Sequence, residues 1–181
     1  MIVAHLDGVR AGPAANDNGS GVAALLEVAR ALRGRDGVLV AALGAEEKVE
    51  TGARAHLGSA RLLAGISREG RRRIRVALSL DMVGVGPTLN VRGIEAAPNR
   101  SARRALAAAR RLGLGATYRQ DSGLSDHEEL TRGGLPAAWI EWRWDPCWHS
   151  ACDVASRVSP AKLEAAARLA IAAAETALAE N

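Results

Sequence analysis

Val38-Leu39-Val40-Ala41-Ala42-Leu43, followed at once by Gly44-Ala45-Glu46-Glu47-Lys48, is the stretch on which the fold turns. Six apolar residues bounded by a glycine and charges read as a buried strand, and the two acids then emerge together at its carboxyl end. Adjacent carboxylates at such a point serve chemistry better than folding. One can bind a metal while its neighbour, turned another way by the backbone, takes a proton from water. A Glu-Glu pair is also an ordinary surface feature, so the flanking sequence decides between the two.

Upstream, Met1-Ile2-Val3-Ala4 is a short strand that ends in His5-Leu6-Asp7. The His and the Asp lie two apart and share a side of an extended chain, so Asp7 can accept the second ring proton of His5 and aim its other nitrogen. Next comes the loop Ala15-Asn16-Asp17-Asn18-Gly19-Ser20-Gly21, and after it the apolar residues of 22–32 recur at the helical period. Ser20 or Asn18 is the expected cap, and Asp17 sits ahead of a helix amino terminus, where negative charge is favoured. No Gly-Lys-Ser pattern follows, so the turn is not read as a phosphate cradle.

Downstream, residues 51–64 read as a helix, with His56 a surface or packed residue without chemistry. Residues 74–80 form a strand delivering Asp81, 88–92 and 116–119 are short strands, and 100–112 is an Ala-rich helix. Residues 135–142 form a further buried strand, leading to the loop Asp145-Pro146-Cys147-Trp148-His149-Ser150-Ala151-Cys152-Asp153. Ser159-Pro160 opens a last helix to about residue 179. Strands alternating with helices predict an α/β fold, a mostly parallel sheet in three layers, and 1–181 as a single domain. Ligands of such sheets bind beyond the carboxyl ends of the strands. His5, Asp17, Glu46, Glu47, Asp81 and His149 all come off that edge, and imidazoles converging with carboxylates suit Zn²⁺.

Composition narrows the alternatives. The hydrophobic share is 48%, with no Phe and one Tyr, so the core is built from small residues. The formal charge is +4, and 22 of the 24 basic residues are Arg. The densest basic run, 68–75, lacks the aromatic or groove-reading elements of a nucleic-acid surface and reads as a solvated loop. No window reaches the roughly 18 apolar residues of a membrane span, and no signal-peptide pattern opens the chain. A soluble, untargeted chain is expected as given, with no membrane or nucleic-acid partner and the compartment left open.

The ordered set His5-Leu6-Asp7, Asn16-Asp17-Asn18-Gly19-Ser20-Gly21, Glu46-Glu47, Leu80-Asp81-Met82, Ser125-Asp126-His127 and Trp148-His149-Ser150 with Asp153 resembles the bacterial di-zinc aminopeptidases. Their superfamily also holds glutaminyl cyclases and glutamate carboxypeptidases. The resemblance implies an α/β/α sandwich of the zinc-peptidase, phosphorylase/hydrolase-like type, binding two zinc ions and taking peptides as substrate. It implies that His5 and Asp81 bind one ion, Glu47 and His149 the other, with Asp17 bridging. Glu46 would be the general base, Asp7 the residue orienting His5, and Trp148, Asp126 and His127 part of the substrate pocket or its support.

The chain departs from that pattern in three places. Trp148 replaces the family's usual Tyr, and an indole N–H reaches differently from a phenol. His149-Ser150-Ala151 replaces His-Thr-Pro. The segment that usually precedes the first metal strand is short, which predicts an exposed sheet edge or face and a homo-oligomer. Cys147 and Cys152, the only cysteines, flank His149. They admit a small disulfide loop fixing the ligand, free thiols, or a separate zinc site. The function expected is hydrolysis of the first peptide bond of peptides. The alternatives are a metal-binding relic without turnover and a related amide hydrolase or cyclase.

Overall fold

A computed structural model describes residues 1–48 and 55–180. Its centre is a six-stranded sheet of β1 (Ile2–His5), β2 (Val40–Leu43), β3 (Ala77–Leu80), β4 (Thr88–Gly93), β5 (Ala116–Gln120) and β6 (Ala137–Arg143), in the order β2-β1-β3-β6-β4-β5. β2, β1, β3 and β6 run parallel, β4 is antiparallel to β6, and β5 is parallel to β4. The four co-directed strands therefore open their carboxyl ends onto one edge, and the chemistry-bearing loops gather there.

Side chains alternate across each strand, so successive residues feed opposite layers. Ile2, Ala4, Leu78, Leu80, Ala138 and Ile140 face one core, which α1 (Gly21–Ala31), α4 (Arg100–Arg111) and α6 (Pro160–Leu178) cover. Val3, Ala77 and Ala137 face the other, where Leu63 of α2 (Leu57–Ala64) and Leu130 of α5 (His127–Arg132) pack. In α4 the buried stripe is Ser101, Ala102, Ala105, Ala108 and Ala109; in α6 it is Ala at six positions with Leu169. Helices faced with methyl groups approach closely. The chain thus fills its interior without Phe.

Local features depart from the sequence expectations. β2 begins at Val40 and is half-exposed rather than buried, because it pairs with β1 alone at the rim of the sheet. Residues 68–73, expected as loop, form the helix α3 (Arg68–Arg73), started by Ser67, whose Oγ accepts the Gly70 N–H at 3.0 Å. The helix expected over 51–64 begins at Leu57, and 51–54 lie outside the described residues. Ser20 does not cap α1; its hydroxyl donates to the Asn16 carbonyl, and Asn18 Oδ1 accepts the Gly21 N–H at 2.9 Å. Among the described residues no helix is long and apolar enough to cross a membrane.

Ile140 lies in β6 between β3 and β4 and is fully buried. Ile140→Ala is expected to lower unfolding stability by about 2–5 kcal/mol, the range for truncating a buried aliphatic side chain, measured by urea denaturation.

Candidate metal centre

Each ligand candidate is delivered by a strand end or by a turn pinned to one. His5 closes β1; its Nδ1 donates to the Asp7 carbonyl, 3.1 Å away, which leaves Nε2 facing inward. Nε2 lies 3.2 Å from Asp17 Oδ1 and 3.4 Å from Asp81 Oδ1. His149 Nε2 approaches from the opposite side, 3.3 Å from Asp17 Oδ2 and 3.1 Å from Glu47 Oε2. The two oxygens of Asp17 thus face different imidazoles. Among the described residues two adjoining triads share Asp17, His5-Asp17-Asp81 and Asp17-Glu47-His149, and a third group is His5-Glu46-Glu47; the potential ligand atoms of each lie within 4.8 Å of one another.

Asp17 is held by backbone and side-chain hydrogen bonds rather than by regular structure. It occupies the turn Ala15–Ser20 with φ −112° and ψ 83°, and the Asp17-Asn18 peptide bond is cis. Asp153 receives the Asn16 and Asp17 N–H groups on its two oxygens, at 2.7 and 3.0 Å. Asn18 reaches the end of β3, donating to the Leu80 carbonyl at 2.9 Å and accepting the Met82 N–H at 3.2 Å. Asn16 ties Asp145 to Gly84, at 2.9 Å each. Gly21 is required here because a Cβ would come within 2.2 Å of the Leu80 carbonyl oxygen. The Asn-Asp-Asn-Gly-Ser-Gly motif is therefore a clamp that binds the β1–α1 loop to the loops after β3 and β6.

Asp7 acts mainly on the Glu pair. Its Oδ2 accepts the N–H groups of both Glu46 and Glu47, at 3.0 and 3.2 Å, whereas its Oδ1 is 3.6 Å from His5 Nδ1. The expected orienting contact to His5 comes at shorter range from the Asp7 backbone carbonyl. Ala45, Met82 and His149, each next to or at a ligand candidate, have positive φ, the left-handed region that residues with a Cβ seldom adopt.

Burial sets the electrostatics. Glu46 and Glu47 are 6% and 4% exposed. Burial and the Asp81 charge push Glu46 up to about 9; burial with the Asp17 and Glu46 charges pushes Glu47 up to about 7. Burial also opposes ionisation of Asp17, but its hydrogen bonds to His149 and His5 prevail and hold it well below the usual carboxylate range. For His5, burial is outweighed by the Asp81 charge and by hydrogen bonds to Asp17 and Asp7, so its pKa is raised. Asp81 Oδ1 is buried and accepts no hydrogen bond among the described residues. Crowded buried carboxylates, with such an oxygen among them, fit a bound dication, and the imidazole and carboxylate donors are those Zn²⁺ takes.

A cavity of about 130 Å³ adjoins the cluster, lined by Asp17, Glu46, Glu47, Asp81 and His149 and walled by Leu124, Trp142, Trp144 and Trp148. Trp148 is half-exposed and stacks on the His149 ring, centroids 4.2 Å apart. Trp139 is core, and its indole N–H donates to the Asp81 carbonyl at 2.9 Å. Cys147 and Cys152 form a disulfide that closes the loop around His149. Asp126 and His127 are completely buried and do not line the cavity, so of their two expected roles burial favours support over substrate contact. His127 Nε2 lies 3.1 Å from Asp121, and its ring packs beside Trp139.

His56, expected as a surface or packed residue, is packed. It is buried against Glu46, with Nε2 3.2 Å from Glu46 Oε1. Nothing in its spacing announced this, because the contact depends on the chain returning to residues 45 and 46. Asn16 and Asp153, which the sequence offers only within motifs, anchor the Asp17 turn through contacts that are likewise tertiary.

The α/β/α sheet thus carries at its carboxyl edge two groups of candidate metal ligands that share Asp17. Residues 1–174 match peptidase family M28, and the chain belongs to that family. It is 30% identical to aminopeptidase YwaD of Bacillus subtilis over 95% of its own length and 39% of that protein. Among solved structures it superposes on a zinc aminopeptidase from Bacillus subtilis with a TM-score of 0.84 at 29% identity, covering 97% of this chain and 45% of that one. The aminopeptidase from Aneurinibacillus sp. strain AM-1 gives 0.85 at 32%, covering 97% and 42%. The chain therefore spans less than half the length of these relatives.

The raised carboxyls generate a prediction about loading. In the metal-free protein at neutral pH, Glu46 is protonated and Glu47 is partly so, given values of about 9 and about 7. Zn²⁺ favours the ionised forms, so binding is expected to release protons and to tighten as pH rises through that interval. Calorimetry in buffers of different ionisation enthalpy measures the release; proton uptake on binding would contradict it.

Proposed function

We propose that this chain is the catalytic domain of a zinc aminopeptidase that hydrolyses the amino-terminal peptide bond of peptides. The observation that carries the proposal is Asp17, whose two oxygens lie 3.2 and 3.3 Å from His5 and His149 at the meeting point of the two triads. The M28 membership and the zinc aminopeptidase among its structural neighbours support it. His5 and Asp81 would hold one zinc ion, Glu47 and His149 the second, and Asp17 both. When bound, the ions would lower the pKa of water and polarise the substrate carbonyl.

The protein groups supply the rest. Glu46 lines the cavity beside the ligands, placed to take a proton from the attacking water and return it to the leaving amine. It is raised by burial and by the Asp81 charge, so positive charge at the ligands would bring it back toward the base form. The N–H bonds to Asp7 keep the backbone of Glu46 and Glu47 fixed, while the Glu47 side chain meets His149 and the Glu46 side chain meets His56. The Leu124 and Trp walls offer apolar surface to the first side chain of the peptide.

Self-association belongs to the same proposal. Among the described residues β2 has β1 on one side and no strand on the other, a half-exposed rim of the kind a second copy can cover. Light scattering at micromolar concentration is expected to give a mass above one chain; a clean monomer would remove this part.

Glu46→Gln is expected to retain zinc and fold while lowering kcat on an aminoacyl p-nitroanilide by about 10²-fold or more. Full activity in that variant would remove Glu46 from the base role. Zinc binding by the unaltered chain without any hydrolysis would point to a metal-binding relic.

A further inference from the structure

His56 is buried against Glu46, and three independent features hold it there. Its N–H donates to the Glu46 carbonyl and the Leu57 N–H to the Ala45 carbonyl, both at 2.9 Å, so the start of α2 is clipped onto the backbone that presents the Glu pair. The backbone of His56 is left-handed, φ 58° and ψ 33°, in a residue with a Cβ. Gly58 lies so close to Gly44 that a Cβ would come within 2.3 Å of its carbonyl oxygen. A buried histidine held in an uncommon conformation against a buried carboxylate marks a constrained site.

The ring is engaged at both nitrogens. Nε2 lies 3.2 Å from Glu46 Oε1, and Nδ1 lies 3.3 Å from Glu128 Oε2. Glu128 is in turn held by Arg132, 2.5 Å away and one helical turn further along α5. The line Arg132–Glu128–His56–Glu46 runs from the protein surface to the cluster, with an imidazole fixed between two carboxylates. Such a ring cannot rotate without losing a partner, so its inner nitrogen fixes the carboxylate it faces.

We propose that His56 is a positioning residue for Glu46, holding the carboxylate at the angle from which it reaches water at the metal ligands, with Glu128 fixing the ring. The assignment rests on the role of Glu46 proposed above. His56 is not among the residues lining the cavity; its ring meets Glu46 and Glu128, and of the candidate ligand groups it touches only the Glu46 of His5-Glu46-Glu47, so it acts on the site through Glu46.

Two experiments on the zinc-loaded chain test this. In the first, His56→Leu and His56→Gln are compared on an aminoacyl p-nitroanilide. His56→Leu is expected to lower kcat by between about 10- and 100-fold, the scale of a misplaced catalytic group, with KM, zinc content and melting temperature unchanged. His56→Gln, whose amide can still donate to Glu46, is expected to recover most of the loss. An unchanged kcat in His56→Leu, or equal losses in both variants with a lowered melting temperature, would overturn the proposal.

The second experiment needs no turnover. In ¹⁵N-histidine spectra, Glu46→Gln is expected to move the ring nitrogen resonances of His56 and leave those of His127 in place. An unmoved His56 would overturn the positioning role even in a chain without activity. A wild-type chain that shows the spectral coupling but no hydrolysis would instead reject the aminopeptidase reading and leave the contact standing.

Discussion

Four carboxylates, Asp17, Glu46, Glu47 and Asp81, are buried at one end of a sheet with two imidazoles between them. In an interior of low polarisability they cannot all remain ionised without positive charge among them. Where His5 and His149 press on Asp17, the carboxylate wins and stays ionised; where Asp81 and burial press on Glu46, the proton wins. The imidazole and carboxylate donors of this cluster fit a bound dication. The loops around it read as the means by which a small domain keeps this concentration of like charge in place.

Little of that restraint comes from regular structure. Asp153 holds the amides of Asn16 and Asp17, Asn18 fastens the same turn to β3, and Asp7 holds the amides of Glu46 and Glu47. The disulfide between Cys147 and Cys152 restricts the loop that carries His149. Parallel strands set the approximate meeting point, and side-chain-to-amide hydrogen bonds set the last ångström. That division is efficient, because amides fixed by a carboxylate give up little freedom when a ligand binds.

The fold and the ligand candidates were legible because they rest on local patterns. Apolar runs at strand length, each followed by His, Asp or Glu, name both the strand and what it delivers. The features that escaped depend on pairing across the chain. Whether the strand at Val40 is central or at the rim is decided by the partners β1 finds, and burial of His56 is decided by where residue 56 returns to. Asp126 and His127 carry the residue types of a pocket, yet the packing of α5 against β3 and β6 places them behind it. The Arg-rich run at 68–73 became helical through one Ser67 cap that its charge pattern concealed.

The alanine stripes of α4 and α6 bear on how this chain can change over generations. In an interior of Leu and Phe the common damaging change is truncation, which leaves a void. At the alanine positions of these stripes the side chains are already methyl groups, and the only shorter replacement is glycine. Every amino-acid replacement at these positions other than glycine enlarges the residue and crowds the layers. Drift in this helical layer is therefore checked from above rather than from below, by crowding instead of by loss.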